Sequence, residues 1–223
     1  MRRFAPSEWG IKNKSQVPQY AGKDEIARYL AELKDTGKLG GLEYCLFQPS
    51  ILMDYFAHPY PLATDLVTFP FFTDYENRRA LVLDDGNQPL VITALEDEAQ
   101  ILHRALEDKR PWPSVGGIRG YRTTTNELVD LGKKLRGGEW EISYLKSEDI
   151  LRGVLKSSWK PLMTHPSIPV EQREAFSEQF VIIFFTGILN GAWDVSNEWN
   201  QRFPEYRFVG AEEYLSKAWE GKP

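Results

Sequence analysis

The sequence predicts an α/β fold, and three segments near its N-terminus support this prediction. Residues 1–10, MRRFAPSEWG, are typical of a strand end followed by a polar turn. Residues 22–34 place apolar side chains at helical spacing, and residues 42–49, LEYCLFQP, form a short run that is apolar on both faces. Strand, helix and buried strand in this order make most of a right-handed βαβ unit, which needs further parallel strands beside it.

The helix of this unit is predicted from its apolar stripe. Ile26, Tyr29, Leu30 and Leu33 fall at i, i+3, i+4 and i+7, which is the spacing of an amphipathic helix. The adjacent glycines at positions 40 and 41 then end the helical region.

The rest of the chain predicts a mixture of strands and helices. Residues 50–80 are rich in aromatic residues and proline, which indicates a loop or lid over a site. The Asp-Gly pair at 85–86 lies between two apolar runs and predicts a β-hairpin. The predicted elements are hairpin strands at 79–83 and 90–94, a strand at 139–145, and helices at 96–107, 126–135, 147–156 and 169–192.

Composition excludes several classes of function. The net charge of −5 argues against nucleic acid as a direct partner, because phosphate binding needs a basic face. Cys45 is alone, the three histidines lack metal-ligand spacing, and the longest apolar run, residues 181–189, is too short to span a bilayer. We therefore expect a cytoplasmic protein with no metal and no membrane contact, and a small molecule as partner. A protein partner is expected only if the chain is regulatory.

Lys23 is the strongest candidate for chemistry. The sequence has no G-x-S-x-G, H-E-x-x-H, Walker or G-x-G-x-x-G motif. Lys23 lies in the first turn of the predicted helix, on the side where open α/β sheets bind their ligands. Tyr20 lies three residues earlier, whereas the Tyr–Lys pairs of reductases are usually four apart. The alternative interpretation is a solvated lysine at a helix end.

The sequence resembles a known family. RFAPSEWG, then K-x-x-I-x-x-Y-L, then LEYCLFQPSILMDYF resemble the NmrA-like, isoflavone-reductase-like branch of the short-chain dehydrogenases/reductases. The later stretches TALEDEAQILHRALE and GYRTTTNELVDLGKKLRGGEWEISYLKSEDI resemble the same family. The resemblance runs through most of the chain and is strongest over residues 3–56.

The resemblance implies the C-terminal portion of a Rossmann-type NAD(P)-binding fold plus a smaller α+β substrate-binding part. Residues 1–110 would be the remainder of the Rossmann-type domain, and residues 111–223 a mostly helical substrate-binding part. The implied function is NADP(H)-dependent reduction of small aromatic or polyketide-like molecules. Two alternatives remain: a non-catalytic NADP(H)-sensing regulator, and a cofactor-independent isomerase or cyclase.

The resemblance also implies a set of site residues. Lys23 matches the family's active-site lysine, and Tyr20 is its candidate partner. The implied cofactor contacts are Pro6, Ser7, Glu8, Lys23, Phe47, Gln48, Pro49 and Ser50. The expected substrate contacts are Trp9, Phe56 and His58.

The opening strands of the family, with their Gly-rich loop, have no counterpart in the 223 residues. That portion should be on the order of 90–110 residues, the size of such a half-domain. We therefore expect the N-terminal dinucleotide-binding half to be missing and NADP(H) binding by this chain alone to be weak.

Overall fold

The computed structural model describes residues 2–223, and its elements confirm the predicted α/β class. The strands are β1 (Arg2–Phe4), β2 (Leu42–Tyr44), β3 (Leu46–Gln48), β4 (Ile51–Leu52), β5 (Thr73–Asp74), β6 (Arg79–Leu83), β7 (Pro89–Thr93), β8 (Val115–Gly117), β9 (Tyr121–Thr124) and β10 (Glu141–Leu145). The helices are α1 (Ala21–Asp35), α2 (Leu95–Glu107), α3 (Thr125–Arg136), α4 (Ser147–Leu151), α5 (Arg173–Leu189), α6 (Glu198–Arg202) and α7 (Ala211–Trp219).

The predicted βαβ unit is confirmed. β1 and β2 are parallel, with Arg2 opposite Leu42, and α1 is the crossover between them. Arg3 fixes β1 in place: its guanidinium donates to the Ala105 carbonyl oxygen at 2.8 Å and lies 4.9 Å from the Trp112 ring centroid. The carboxyl end of β1 is thereby held at a defined position, and the Pro6–Gly10 loop follows directly.

The single strand predicted over residues 42–49 is two strands in two sheets. The chain leaves β2 at Cys45, and β3 then pairs in parallel with β8. Cys45 is completely buried, and burial raises the pKa of its thiol to about 12. Residues 44–50 are all buried, as expected for a strand segment covered on both faces.

The predicted hairpin is wrong, because β6 and β7 belong to different sheets. β6 pairs in parallel with β10 and antiparallel with β5, while β7 pairs in parallel with β4 and antiparallel with β9. The turn itself is present, with Gly86 at φ +70°. The Asn126 amide donates to the Asp85 carbonyl oxygen at 2.7 Å. The turn is thus tied to the start of α3, and the chain crosses between sheets there.

Two strands that follow residue 110 pair with strands that precede it. β8 and β9, which the sequence did not predict, pair with β3 and β7. The helix predicted over 126–135 is α3, and Thr124 and Glu127 form a capping box at its start. α4 is shorter than the predicted helix and ends at Leu151. The division at residue 110 stays a prediction.

The main core contains most aromatic residues of the 50–80 segment, and the interpretation of this segment as a loop or lid over a site stays a prediction. Phe56, Phe72 and Tyr75 are at most 1% exposed. Phe72 stacks on Phe184 of α5 at 4.7 Å, because the strongly apolar α5 offers aromatic side chains to this segment. α5 is shorter than the predicted 169–192, and a 3-10 turn at Val170–Gln172 precedes it. Between residues 2 and 223 no helix has the length and apolar character needed to cross a membrane.

Candidate active site

Two segments named in the sequence prediction lie side by side at the carboxyl ends of β1 and β3. The Trp9 backbone N–H donates to the Phe47 carbonyl oxygen at 3.0 Å, and the Ser50 N–H donates to the Gly10 carbonyl oxygen at 3.1 Å. Trp9 and Ser50 both have left-handed backbone, with φ of 44° and 67°. Non-glycine residues in this conformation are uncommon and concentrate at functional sites. The structure therefore brings Pro6–Gly10 and Phe47–Ser50 together as one bipartite loop.

A stack of four aromatic rings supports this loop. Trp9 stacks on Phe47 at 5.0 Å, Phe47 on Trp199 at 5.3 Å, and Trp199 on Phe203 at 5.7 Å, all with interplanar angles of 11° or less. Trp9 is 37% exposed, whereas Phe47 and Trp199 are fully buried. The stack therefore links the exposed ring of the loop to a buried cluster.

Lys23 and Tyr20 meet beneath the same loop. The Lys23 ammonium donates to the Glu8 backbone carbonyl oxygen and lies 5.1 Å from the Tyr20 ring centroid. Burial, and then the Glu8 carboxyl, raise the pKa of the Tyr20 phenol above its usual range. The Tyr20 hydroxyl is thus protonated at neutral pH and available as a hydrogen-bond donor, although its spacing to Lys23 is three residues.

The predicted cofactor contacts Glu8 and Gln48 direct their side chains into the protein. Glu8 is 2% exposed, and its Oε1 accepts from the Asn13 amide at 2.8 Å. Gln48 donates to the Asn13 Oδ1 at 2.7 Å, and Asn13 also donates to Asp24 at 3.1 Å. Burial raises the pKa of the Glu8 carboxyl. Glu8 therefore sits in a buried polar network, and Ser7 is the exposed polar side chain of this turn.

A cavity of about 570 Å³ opens beside Tyr20 and the bipartite loop. Its walls are mostly aromatic and aliphatic. None of the described residues that line it is Asp, Glu, Lys or Arg. Burial raises the pKa of Tyr55, so its hydroxyl is neutral like that of Tyr20. The lining residues are Trp9, Gly10, Tyr20, Ser50, Ile51, Leu52, Tyr55, Phe69, Phe71, Met163, His165, Ser167, Ile168, Phe176, Phe180 and Trp193.

Two residues expected to contact substrate lie outside this cavity. Phe56 is buried and packs edge-on against Phe71 and Phe72, with centroids 5.5 and 5.4 Å away. His58 is half-buried and its Nδ1 hydrogen-bonds the Thr68 hydroxyl at 2.9 Å. Of the expected substrate contacts, only Trp9 lines the cavity.

Sequence reasoning missed the far wall of the cavity. This wall comes from the irregular segment 157–172 and the first half of α5, which contribute Met163, His165, Ser167, Ile168, Phe176 and Phe180. The one available signal was the dense run of aromatic residues in and around α5. Nothing local to residues 163–168 indicated that they face a cavity.

A second cavity, of about 520 Å³, lies between the first turn of α2 and α7. Its buried carboxylates already have protein partners. Asp54 accepts from the Tyr214 hydroxyl and from the Leu95 N–H, the latter at 3.0 Å, and Asp97 accepts from the Tyr206 hydroxyl at 2.6 Å. These hydrogen bonds hold the start of α2 against the C-terminal segment.

Glu98 lies close to Asp54, and its raised pKa predicts how the free energy of unfolding depends on pH. Burial, and then the Asp54 charge, raise the pKa of Glu98 from 4.5 to about 7. Native Glu98 therefore keeps its proton where the unfolded chain loses it, and the free energy of unfolding falls as pH rises from about 4.5 to about 7. At pH 8 we expect Glu98→Gln to raise the free energy of unfolding by about 2–3 kcal/mol, and at pH 4 to change it little. Urea titrations at both pH values measure this, with exposed Glu96→Gln as the control; equal effects of Glu98→Gln at both would contradict it.

The sequence is similar to those of an oxidoreductase and an isoflavone reductase homologue. No model of a known protein family matches the sequence. The chain is 24% identical to oxidoreductase swnN of Arthroderma benhamiae, covering 99% of this chain and 74% of that protein. It is 25% identical to isoflavone reductase homolog P3 of Arabidopsis thaliana, covering 97% of this chain and 65% of that protein.

Solved structures show the same fold. A crystal structure of isoflavone reductase matches with a TM-score of 0.64 and 19% identity, covering 97% of this chain and 66% of that one. The structure of AtPrR2 with NADP+ and (+)-pinoresinol matches with a TM-score of 0.60 and 21% identity, covering 98% and 65%. The chain thus spans about two thirds of the length of these proteins.

The fold defines the class first: this is a Rossmann-type α/β protein, as predicted. The sequence relatives then narrow the class, since they are oxidoreductases and an isoflavone reductase homologue. The predicted resemblance to the NmrA-like, isoflavone-reductase-like family is therefore confirmed.

Proposed function

We propose that residues 2–223 form the substrate-binding and nicotinamide-side part of an NADP(H)-dependent reductase of small, neutral aromatic or polyketide-like molecules. One observation carries this proposal: the aromatic cavity of about 570 Å³ opens directly beside Tyr20 and the loop to which Lys23 donates. Apolar walls with a few placed polar groups are typical of small-molecule sites. The oxidoreductase relatives support a reductase.

The described residues fit one end of the nucleotide. Ser7 and the left-handed turn at Trp9 lie at the carboxyl end of β1, where an α/β sheet receives a ligand. They are the groups that would hold the nicotinamide end. The adjacent glycines 116 and 117 do not form a phosphate cradle, because a Cβ there would meet Trp199 and Ser196 at 2.2 Å. We therefore assign the nicotinamide end to this loop and no phosphate contact to Gly116 and Gly117.

The chemistry of the proposed site starts from Lys23 and Tyr20. NADPH supplies a hydride when bound. Lys23 holds a proton on Nζ against the Glu8 carbonyl oxygen, and Tyr20 presents a neutral hydroxyl at the cavity wall. An oxygen of a bound molecule can accept a hydrogen bond from Tyr20, while the apolar walls exclude water.

The uncharged lining predicts selectivity for neutral ligands. We expect 2-acetylnaphthalene to bind at least about tenfold more tightly than 2-naphthoate at pH 7, because burying an unpaired carboxylate costs several kcal/mol. Calorimetric titration measures both. Leu52→Trp, which fills this cavity, should weaken binding of 2-acetylnaphthalene, whereas Leu62→Trp, which fills the second cavity, should not. Equal binding of the two probes, or loss of binding in Leu62→Trp alone, would remove the cavity from the proposal.

Cofactor dependence separates the proposed reductase from its alternatives. Fluorescence titration measures NADPH affinity, and NADPH oxidation in the presence of an aromatic substrate measures turnover. NADPH-dependent turnover supports a reductase. NADPH binding without turnover would favour a sensing protein, and turnover of substrate without NADPH would favour an isomerase or cyclase.

A further inference from the structure

His165 has a fixed orientation in the wall of the aromatic cavity. It lies in the irregular segment between α4 and α5 and is half-buried. The backbone N–H of Ser167 donates to His165 Nδ1 at 3.2 Å, and the Ser167 hydroxyl lies 2.7 Å from the same nitrogen. The Ile168 N–H donates to the His165 carbonyl oxygen at 3.0 Å. A short turn thus closes around the ring.

These contacts determine the tautomer of His165. A backbone N–H can only donate, so Nδ1 must accept and carries no proton. In the neutral imidazole the proton then lies on Nε2. Among residues 2–223 no group hydrogen-bonds His165 Nε2. The ring therefore offers a hydrogen-bond donor, and no acceptor, to a ligand.

The hydroxyl groups of Tyr20, Tyr55 and Ser50, which also line the cavity, do not offer a ligand a group that can only donate. The hydroxyls of Tyr20 and Tyr55 are neutral and rotate, so each can donate or accept. The Ser50 hydroxyl already donates to the Trp193 carbonyl oxygen at 2.8 Å. The Trp9 indole N–H beside the loop can also only donate, so His165 is the group with a fixed donor role on the far wall of the cavity.

We propose that His165 is a specificity-determining residue that donates from Nε2–H to a carbonyl or other acceptor oxygen of the bound ligand. This inference rests on the proposed function, because it assumes that the cavity binds the substrate. It adds to that function a requirement on substrate chemistry: a neutral aromatic body that carries an acceptor oxygen positioned to reach the far wall.

A pair of isosteric probes tests the inference without requiring turnover. 2-Acetylnaphthalene and 2-isopropenylnaphthalene have nearly the same shape, but only the ketone accepts a hydrogen bond. The ratio of their dissociation constants is measured by calorimetry in the native protein and in His165→Phe, which keeps a ring and removes the N–H. We expect the ratio to shift by about fivefold toward the alkene in His165→Phe, the size of one hydrogen bond. His103→Phe, a matched change at an exposed histidine of α2 outside the cavity, should leave the ratio unchanged.

The outcomes separate the two proposals. Failure of both probes to bind the native protein would contradict the proposed function. Binding of both with the same ratio in native protein and His165→Phe would overturn the role of His165 alone. Nitrogen-15 NMR of the native protein provides a second check that does not need the variant to fold: a proton on Nε2 is expected, and a neutral ring protonated on Nδ1 would overturn the inference.

Discussion

Replacement of Trp199 by alanine is expected to lower the free energy of unfolding by about 3–5 kcal/mol, the range for truncating a buried tryptophan. Trp199 is fully buried, stacks between Phe47 and Phe203, and meets Trp112 edge-on at 6.2 Å. Its removal leaves a cavity beside Phe47, which supports Trp9. Urea denaturation measures the change, and binding of 2-acetylnaphthalene should weaken as well because the loop at Trp9 loses its support.

The control for this prediction is Tyr144→Ala. Tyr144 is also a large aromatic residue, but it is 69% exposed, so its replacement should change the free energy of unfolding by less than about 0.5 kcal/mol. Similar losses in Trp199→Ala and Tyr144→Ala would show that the ring stack does not stabilise the fold.

Replacement of Lys23 by methionine is expected to lower kcat for NADPH-dependent reduction by about 10²-fold, the cost of misplacing a reacting group by about 1 Å, because the loop beside the cavity loses the hydrogen bond to its Glu8 carbonyl oxygen. Methionine keeps most of the aliphatic stem that packs by Tyr20 and removes the ammonium. The rate of NADPH oxidation with a neutral aromatic substrate measures the loss, and 2-acetylnaphthalene is the first substrate to test. Binding of the same probe should change little, because Lys23 does not line the cavity.

Lys34 provides the matched control at the other end of α1. Its ammonium donates to the Ser114 hydroxyl at 2.6 Å, away from the cavity, so Lys34→Met should retain native turnover. Retained turnover in Lys23→Met would remove Lys23 from the mechanism. Turnover lost together with probe binding would instead indicate a structural role for this side chain.

The parts of the fold that the sequence predicted correctly depend on local signals. α1 follows from its apolar spacing, and α3 from the three threonines at 123–125, any of which could cap a helix, and the glycines after Arg136. The βαβ order follows because one amphipathic helix separates two short apolar runs. Each of these elements is encoded by its own short stretch of neighbouring residues.

The parts that were missed depend on contacts between distant segments. The Asp-Gly signal at 85–86 specifies a turn but not the partner of each strand, and β6 and β7 found partners elsewhere. β8 contains two glycines, and its strand conformation is stabilised by pairing with β3, about 70 residues earlier in the chain. The apolar stripe of α1 was only partly buried: Leu30 is covered, whereas Ile26 and Tyr29 are 47% and 54% exposed.

The candidate site also combines residues placed by local sequence with residues placed by contacts between distant segments. The proximity of Lys23, Tyr20, Trp9 and Ser50 could be expected from the sequence, because they lie in the segments that carry the family resemblance and meet at one end of parallel strands. Their roles stay predictions. The wall that contains His165 and Phe180 was not, because these side chains reach the cavity only when α5 packs against the 50–80 segment. Phe56, an expected substrate contact, lies in the core instead of the cavity wall, because it packs against Phe71 and Phe72.

A crystal structure of the protein with 2-acetylnaphthalene tests whether the aromatic cavity is the substrate site. The proposed function predicts the naphthalene rings between Trp9, Tyr55 and Phe180, in the cavity beside Tyr20 and the loop held by Lys23. Density for the probe in the second cavity, between α2 and α7, with the first cavity empty, would contradict the assignment of the substrate site.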